Sequence, residues 1–407
     1  MLSARLSSFR PKQLRITPIL SIHRIARRPP SYHTSSFVQD RPRHAHPSRF
    51  KMPSPCPSPG PKLKVLVLGA GNFGSCLADH LGDFGHDVLM WSRDDNLAAY
   101  FNEHHRNPSF LKDHVFSEKI RAVGPEFPDT EMIRGVDVLL FAIPTEGVRE
   151  TLIQLRPKLN EDNLPLLIFV NKGIEKATNA LTLEIIADTC GRDIARAATF
   201  ISGPSFAKEI VRRQPTSVSV ASISQSHAER ASQLFHQPWF RCYTGDDPIG
   251  IELAGALKNV YAIAAGIADG LGFENNTRAM LITRGLSEMT RIGTAYGANP
   301  LTFLSLAGVG DLFLTCSSPT SRNYTVGFRL GKGEALDEII PLIDGLGVVA
   351  PIATGVYEVL YEGKDVEERA RWLMSQPPIR ELQLPETAGG PVRVLLRKLG
   401  LLEGNVE

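Results

Sequence analysis

The sequence predicts an α/β fold in which a domain of alternating strands and helices is followed by an all-α domain. Short apolar runs alternate with segments of helical spacing from Lys64 to Ala221, the pattern of repeated βαβ units. Beyond Ala221 the pattern changes to long helices, and we place the domain boundary near Thr244. The predicted domains are therefore residues 62–244 and 245–407, with residues 1–61 outside both.

The first predicted strand, Lys64–Leu68, runs directly into a glycine-rich turn and a helix start. That turn comprises Gly69, Gly71, Asn72, Phe73 and Gly74, which places glycines at G-x-G-x-x-G spacing. Gly69 allows the sharp turn, Gly71 lets a pyrophosphate approach the backbone, and Gly74 lets the helix pack on the strand. A second strand, Asp87–Arg93, follows where a βαβ unit requires one. The sequence therefore predicts a Rossmann-type dinucleotide site rather than a purely structural turn.

The end of the second strand bears on the choice of coenzyme. An NAD-specific site usually carries a carboxylate there for the ribose hydroxyls, but this chain has Arg93, followed by Asp94 and Asp95. Arg93 can hold a 2′-phosphate or stack on adenine. The residues leave both NAD and NADP open.

Later strands of the first domain also end in polar or glycine-containing segments. The strands are predicted at Lys119–Val123, Val136–Ile143, Pro165–Val170, Ala198–Ser202 and Pro215–Ala221. Lys172 follows one of them and is either a solvated cap or a group beside the nicotinamide or substrate. Gly203 and Ser205 follow another, where they either start a helix or line the cleft at the carboxyl edge of the sheet.

The long helix predicted at Ile249–Leu271 is apolar on most faces yet contains Lys258. Burying an unpaired ammonium costs several kcal/mol, roughly, so this side chain either reaches the surface or is catalytic. A partner is available in Asp311, the one carboxylate of the apolar stretch Leu304–Thr315. Asp311 is otherwise read as a helix cap.

A polar group follows shortly afterwards at a predicted helix start. It consists of Ser321, Arg322, Asn323 and Tyr324. An arginine matches a phosphate in bidentate fashion and an asparagine adds donors, whereas an exposed turn has a similar composition. A phosphate site and a surface turn both remain open at this point.

The composition excludes several classes of protein. The net charge is +2, and the five cysteines are scattered without a CxxC pair, which argues against a disulfide framework or a zinc site and fits a reduced compartment. His104 and His105 are adjacent and point in different directions on a helix, so we predict no metal site. We found no apolar run long enough for a membrane span.

The N-terminus differs from the rest of the chain. Residues 1–51 contain nine Arg and two Lys against a single acid, Asp40. This Arg- and Ser-rich composition is typical of an organelle transit peptide, mitochondrial in preference to plastid, with a linker up to residue 61. It lacks the aromatic platform of a nucleic-acid-binding arm, so we predict no nucleic-acid partner. Translation from Met52 would instead give a cytosolic protein.

Taken together, six ordered motifs resemble the soluble NAD(P)-dependent glycerol-3-phosphate dehydrogenase family. They are the glycine turn, Asn171-Lys172-Gly173, Gly203–Ala207, Leu257-Lys258-Asn259, Gly308–Leu312 and Ser321-Arg322-Asn323. The resemblance implies a Rossmann domain, an all-helical second domain and reversible hydride transfer between NAD(P)H and dihydroxyacetone phosphate, giving sn-glycerol 3-phosphate. It further implies a role in glycerophospholipid biosynthesis and carbohydrate metabolism, and a homodimer.

The resemblance also implies roles for individual residues. Lys258 is similar to the general acid/base, Lys172 to a second cation that touches cofactor and substrate, and Asp311 to the carboxylate that keeps Lys258 charged and oriented. The implied substrate contacts also include Gly203, Ser205, Asn259, Ser321, Arg322 and Asn323, and the implied cofactor contacts include Ala207 and Arg322. A charged ammonium would stabilise the alkoxide that forms when a carbonyl receives hydride.

The chain departs from the family at one place. After Leu330–Leu336 the family continues into a Val-x-Glu-Gly-Val type helix, whereas this chain passes from Asp337–Ile340 to Pro341–Gly345 and omits about one helix. Two alternatives to this dehydrogenase remain open, and only the second depends on the missing segment. One is a related β-hydroxyacid-type dehydrogenase, and the other is a dinucleotide-binding protein that has lost catalysis.

Overall fold

The computed structural model describes residues 61–334 and 351–375. The predicted transit peptide, the linker up to residue 60 and the departure at residues 337–345 lie outside these ranges. Both predicted domains are represented in the described part of the chain.

Eight strands form one sheet in the N-terminal half of the described chain. They are β1 (Lys64–Leu68), β2 (Asp87–Trp91), β3 (Ile120–Val123), β4 (Val138–Phe141), β5 (Leu166–Phe169), β6 (Thr199–Ser202), β7 (Thr216–Ser222) and β8 (Phe240–Gly245). Their order is β3-β2-β1-β4-β5-β6-β7-β8. All neighbours are parallel except β6 and β7. The carboxyl ends of β1 through β6 therefore meet at one edge.

Helices flank this sheet and form most of the described part of the second half. Those of the first half are α1 (Asn72–Asp83), α2 (Asp95–His104), α3 (Thr130–Arg134), α4 (Val148–Leu155), α5 (Thr182–Cys190), α6 (Arg192–Ala197), α7 (Ala207–Ile210) and α8 (Gln225–Phe235). Those of the second half are α9 (Pro248–Gly270), α10 (Asn275–Ala295), α11 (Asp311–Cys316), α12 (Arg322–Gly331), α13 (Pro351–Tyr361) and α14 (Val366–Ser375). A π-helix at Leu306–Gly310 leads into α11.

The α/β fold and the predicted strands up to Ala221 are confirmed, although most strands are shorter than predicted. The expectation that long helices follow β7 is wrong, because α8 and β8 intervene. β8 escaped detection because it is an edge strand, in which Arg241 and Tyr243 are exposed and only Phe240 is fully buried. The sheet ends at Gly245, and α9 begins at Pro248.

Alternation along the strands produces two separate cores on the two faces of the sheet. Val65 and Val67 belong to one apolar cluster, whereas Leu66 and Leu68 belong to the other. This is the two-residue period of a strand that is buried on both faces. A third cluster is built around α9 and holds the helical half together.

Helix α9 is the central element of the second half. By length and composition it could cross a bilayer, contrary to our reading of the sequence, but 78% of its most apolar window is buried inside the protein. Its apolar character is accounted for by contacts with the sheet edge on one side and with α10, α12 and α13 on the other. Lys258 therefore lies on a core helix.

Candidate active site

In the glycine turn after β1, two glycines are in close contact with neighbouring backbone and a third is open to a ligand. Gly69 has φ +114°, and a Cβ there would lie 2.7 Å from the carbonyl oxygen of Ala142. A Cβ on Gly74 would lie 2.0 Å from the carbonyl oxygen of Gly69, so α1 begins directly against the turn. A Cβ on Gly71 would meet no atom within 4 Å. A ligand can therefore approach the backbone at Gly71.

The start of α1 is suited to an anion. Gly71 is the N-cap and provides no side chain to pair with the first-turn N–H groups. Asn72 is exposed and Phe73 is half-buried in this turn. Asn107 supports the turn from behind, because its Nδ2 donates to the carbonyl oxygen of Ala70 at 3.0 Å. These features fit the pyrophosphate of a dinucleotide.

Arg93 is exposed two residues beyond β2 and borders a cavity of about 520 Å³. This volume is typical of small-ligand pockets. Trp91 also borders the cavity, and its carbonyl oxygen accepts from the N–H of Gly69 at 3.0 Å, so the cavity adjoins the glycine turn. Glu146 and Glu150 also line the cavity, and a carboxylate is the group that usually accepts from ribose hydroxyls in such sites. The geometry places Arg93 beside the dinucleotide turn and supports both coenzymes.

Three of the predicted residues lie together at the carboxyl ends of β5 and β6. The carbonyl oxygen of Gly203 accepts from Nζ of Lys172 at 3.3 Å and from Oγ of Ser205 at 2.9 Å. Gly203 has φ +147°, and a Cβ there would lie 3.0 Å from Cα of Val218. Ala207 is buried at the start of α7, on the side that faces α1. This loop therefore lies on the same sheet edge as the glycine turn.

Lys258 and Lys172 share one carboxylate. Nζ of Lys258 donates to Oδ1 of Asp311 at 2.6 Å, and Nζ of Lys172 donates to Oδ2 of the same residue at 2.6 Å. Lys258 is 7% exposed and Asp311 is 2% exposed. Asp311 is the first residue of α11, yet its side chain pairs with the two ammonium groups rather than capping that helix. The side chain of Lys258 does not reach bulk water.

Thr315, which lies outside the six motifs, completes this cluster. Its hydroxyl accepts from Nζ of Lys258 at 2.9 Å and donates to the carbonyl oxygen of Asp311 at 2.6 Å. The four-residue spacing of Asp311 and Thr315, which share one helix face, is a signal that could have identified it. Lys258 thus has two fixed partners, and its Nζ is held in one position.

The electrostatic environment tunes the proton on Lys258. Burial lowers the pKa of Lys258 most, the charge of Lys172 lowers it further, and Asp311 opposes both, with a result of about 8. A general acid/base works best with a pKa near the working pH. Lys258 can therefore give up and regain a proton under ordinary conditions.

The packing of α12 on α9 fixes where Arg322 lies. A Cβ on Gly327 would lie 2.1 Å from the carbonyl oxygen of Ile263, and one on Gly331 would lie 2.4 Å from that of Ile267. The two helices therefore run in the same direction with their backbones in contact. Stepping back five residues from Ile263 and Gly327 reaches Lys258 and Arg322. The start of α12 consequently lies level with Lys258.

The remaining predicted residues differ in how they are held. Oγ of Ser321 accepts from the N–H of Tyr324 at 3.3 Å and so caps α12. Arg322 is exposed and Asn323 is half-buried at the start of that helix. Both lie at the same height along the paired helices as Lys258. Asn259 makes only a long 3.5 Å bond to the carbonyl oxygen of Gly255. Arg322, Asn323 and Asn259 are therefore more available for a ligand than Ser321.

Two polar atoms at the carboxyl ends of β5 and β6 are buried without a hydrogen-bond partner among the described residues. They are Oγ of Ser202 and Oδ1 of Asn171. A Cβ on Gly255 of α9 would lie 3.1 Å from Oγ of Ser202, which shows how closely α9 approaches the sheet edge. Within residues 61–334 and 351–375, no cluster of three or more His, Cys, Asp or Glu could hold a metal ion.

Comparison with known proteins identifies the family. The model described as NAD-dependent glycerol-3-phosphate dehydrogenase N-terminus matches residues 64–228, and the corresponding C-terminus model matches residues 247–371. Glycerol-3-phosphate dehydrogenase [NAD(P)+] of Leptospira biflexa is 42% identical over 338 residues, covering 77% of this chain and 98% of that protein. The protein of the same name from Limosilactobacillus reuteri is 40% identical over 334 residues, covering 76% of this chain and 96% of its own length.

A solved structure agrees with these matches. The crystal structure of glycerol-3-phosphate dehydrogenase from Coxiella burnetii superimposes with a TM-score of 0.69 at 32% identity, covering 77% of this chain and 99% of that one. The matches cover nearly the full length of these relatives. They therefore include the glycine turn, the two lysines that share Asp311 and the helical second half. The chain belongs to the NAD-dependent glycerol-3-phosphate dehydrogenase family.

Proposed function

We propose that this protein catalyses reversible hydride transfer between NAD(P)H and dihydroxyacetone phosphate, giving sn-glycerol 3-phosphate. Relatives about 40% identical carry the name glycerol-3-phosphate dehydrogenase [NAD(P)+]. The structural observation that carries the proposal is the buried Lys258, which shares Asp311 with Lys172 at the sheet edge where the glycine turn also lies. This arrangement offers a proton donor beside a dinucleotide cleft.

The dinucleotide fits the residues present. Gly69, Gly71 and Gly74 would hold its pyrophosphate at the start of α1, and Arg93 would face its adenosine end. Bound NAD(P)H supplies the hydride for the carbonyl carbon. Because Gly71 is open and α1 has no side-chain cap, the protein needs no rearrangement there to admit the diphosphate.

Lys258 acts on the carbonyl oxygen of the substrate. In the reduction it donates a proton from Nζ to that oxygen as alkoxide charge develops, and in the oxidation it removes the proton from the hydroxyl. Asp311 and Thr315 hold Nζ in place, and Lys172 adds a second positive charge beside the reacting oxygen. Without Asp311 the two ammonium groups would repel each other in a buried site.

Arg322 and Asn323 bind the phosphate of the substrate. They lie at the start of α12, where the helix dipole also favours an anion, and level with Lys258. A phosphate held there fixes the distance from the carbonyl to Nζ of Lys258. Binding energy from the phosphate then assists the reacting centre.

A comparative assay tests this proposal. The full chain is supplied with NADH or NADPH and with dihydroxyacetone phosphate, and absorbance of the reduced coenzyme is followed. We expect turnover with the phosphorylated ketone and little with a non-phosphorylated 2-keto acid. The reverse preference would favour a β-hydroxyacid-type dehydrogenase, and tight coenzyme binding without turnover would favour a binding protein. The ratio of kcat/KM with NADH to kcat/KM with NADPH shows whether Arg93 favours a coenzyme that carries the 2′-phosphate.

Metabolic role, assembly and compartment follow as further parts of the proposal. The product is a precursor for glycerophospholipid biosynthesis, and the substrate links the enzyme to carbohydrate metabolism. We propose a homodimer, which sedimentation of the purified full chain would test. The basic residues 1–51 support import into an organelle, mitochondria in preference to plastids. A fluorescent protein fused after residue 61 should enter that organelle, and one fused to a chain beginning at Met52 should stay cytosolic.

A further inference from the structure

A narrow apolar groove lies between α9, α10, α13 and α14, on residues that the proposed catalytic machinery does not use. Its cavity has a volume of about 80 Å³. The side chains that line it are almost entirely apolar and include Ile267, Leu271, Leu281, Val356 and Leu373. Three large apolar side chains at this groove are exposed, Phe273 at 45%, Met280 at 37% and Met374 at 69%.

The size and lining of the groove restrict what it can bind. Pockets for small ligands usually enclose about 300–1,000 Å³, so 80 Å³ is too small for a metabolite. The cavity fits one or two aliphatic side chains. An amphipathic segment that inserts side chains at helical spacing is the kind of occupant that such a groove takes.

The chain itself contains such a segment. Residues 391–402 place Val392, Leu395, Leu396, Leu399 and Leu402 at spacings of three and four, which gives one apolar stripe in a helical projection. The basic residues Arg393, Arg397 and Lys398 flank this stripe. Val394 and Leu401 fall on the opposite side and provide matched controls.

The point where the chain leaves α14 brings this segment within reach. Helix α14 ends at Ser375, next to Met374 of the groove, and sixteen residues separate Ser375 from Val392. An extended chain spans at most about 3.3–3.6 Å per residue, so this tether can return to its own groove. A short tether also gives a high effective concentration, of order mM, which favours the chain's own segment over a second copy.

Charge favours the same occupant. Three acidic residues are exposed at the start of α14 beside the groove: Asp365 just before the helix, and Glu367 and Glu368 in its first turn. The exposed basic residues beside them are Lys364 and Arg371, and Arg371 pairs with Glu367 at 2.8 Å, so these acidic residues outnumber the basic ones by one. The basic flanks of residues 391–402 are therefore of the complementary sign, which improves the orientation of docking more than its strength.

We propose that residues 391–402 dock into the groove between α9, α10, α13 and α14 of the same chain through Leu395 and Leu399. Docking covers Phe273, Met280 and Met374 and links α13 and α14 to the core helix α9. This is a stabilising interaction at the face of α9 away from the sheet. It is independent of the reaction assigned above.

Engineered cysteines test the geometry in the full chain. Met280→Cys is combined either with Leu399→Cys or with the control Leu401→Cys, and each variant is oxidised mildly and mapped by mass spectrometry. We expect an intramolecular disulfide at least about five-fold more abundant with Leu399→Cys than with Leu401→Cys. Equal yields, or no disulfide in either variant, would overturn the proposal. A disulfide formed between two chains would overturn it in favour of a second copy.

Thermal unfolding provides an independent measurement. Leu395→Ala combined with Leu399→Ala should lower Tm by about 5 °C or more and increase amide exchange in α13 and α14. The control pair Val394→Ala and Leu401→Ala should change Tm by about 1 °C or less. Activity at low temperature should be unaffected in both, because none of these residues contacts the catalytic cluster. Equal Tm shifts in the two pairs would contradict docking through the predicted stripe.

Discussion

Two buried carboxyl groups lie on or against helix α9, and their negative charges are offset in different ways. Glu252, on α9 itself, accepts from the N–H of Thr182 at 2.8 Å and from that of Leu183 at 3.3 Å, at the start of α5. Among the described residues no cation pairs with it. Asp311, which contacts α9 through Lys258, accepts instead from two ammonium groups. Glu252 thus links α9 to the start of α5, whereas Asp311 holds the ammonium groups of Lys258 and Lys172 together.

The difference shows what each site is suited to do. Burial raises the pKa of Glu252 to about 8, because the partial charges of two backbone N–H groups do not offset the loss of water. In the cluster around Asp311 the group that titrates near neutral pH is Lys258, whose pKa is lowered to about 8. Glu252 holds the start of α5 through Thr182 and Leu183, whereas Lys258 lies with Lys172 in the ion-paired cluster at the carboxyl edge of the sheet. A perturbed pKa thus indicates function only where a substrate can reach the group.

The largest expected effect comes from removing the ammonium at the reactive site. Lys258→Ala should lower kcat for ketone reduction by about 10²–10⁴, because general acid catalysis typically contributes that much. Coenzyme affinity, measured by fluorescence titration with the reduced coenzyme, should stay within about two-fold. An unchanged kcat would remove Lys258 from the mechanism and leave the two carboxylate sites functionally alike.

Asp311→Asn should have the next largest effect. It leaves the buried ammonium of Lys258 and the partly buried ammonium of Lys172 without a counter-charge, so the free energy of unfolding should fall by about 3 kcal/mol. The pKa of Lys258 should drop further below about 8, since Asp311 is the group that raises it. The limb of kcat/KM for reduction that is lost at high pH should therefore move to lower pH. Urea denaturation and a pH profile of the same preparation measure both effects.

Arg322→Lys should act on binding rather than on the proton. A point charge replaces a planar fork, so KM for dihydroxyacetone phosphate should rise about ten-fold while kcat changes little. Arg329→Lys, on an exposed side chain later in the same helix, is the matched control. A KM that stays at the wild-type value would show that the start of α12 does not hold the phosphate.

Lys172→Gln should reverse the pH shift seen with Asp311→Asn. Removing the neighbouring positive charge raises the pKa of Lys258, because that charge is one of the causes that lower it. The loss of reductase kcat/KM above about pH 8 should then begin at higher pH, whatever happens to the absolute rate. A shift in the acid direction would contradict the assigned coupling between the two lysines.

Glu252→Gln should have the smallest effect on activity and a clear effect on stability. One hydrogen bond to the start of α5 is weakened, which should cost about 1–2 kcal/mol of unfolding free energy. In the wild type, the contribution of Glu252 to stability should decline as pH rises from about 4.5 to about 8, because only the folded carboxyl retains its proton there, and the difference between wild type and variant isolates it from other groups such as Glu288 and His80. The variant should lack this decline, and its kcat should stay within about two-fold. A large loss of kcat would place Glu252 in the catalytic machinery.

Local pattern was enough to predict most of the sheet and the residue types of the site. The apolar run Lys64–Leu68 and the glycines after it specify a strand, a turn and a helix start with little help from the rest of the chain. Lys258 could be singled out because an ammonium is unusual on an apolar helix. Asp311 could be suggested as its partner because it is the one carboxylate of its apolar stretch.

Tertiary contacts supplied what local pattern could not. Lys172 and Asp311 are separated by 139 residues, so nothing local indicates that Lys172 shares the carboxylate of Lys258. The edge strand Phe240–Gly245 lacks a fully buried face and was therefore missed. Asn107, which supports the glycine turn from 37 residues away, was missed for the same reason of distance along the chain.

The glycine contact between α9 and α12 has a consequence for how substrate selectivity can evolve. Because backbone meets backbone at Gly327 and Gly331, the separation of the two helices is set by peptide geometry rather than by adjustable side chains. The contact fixes the distance between Lys258 and the start of α12, where we propose that the substrate phosphate binds. Even one added methyl group at either glycine would push α12 away from α9 and change this distance. Selection for a longer or shorter substrate would therefore have to act on other residues.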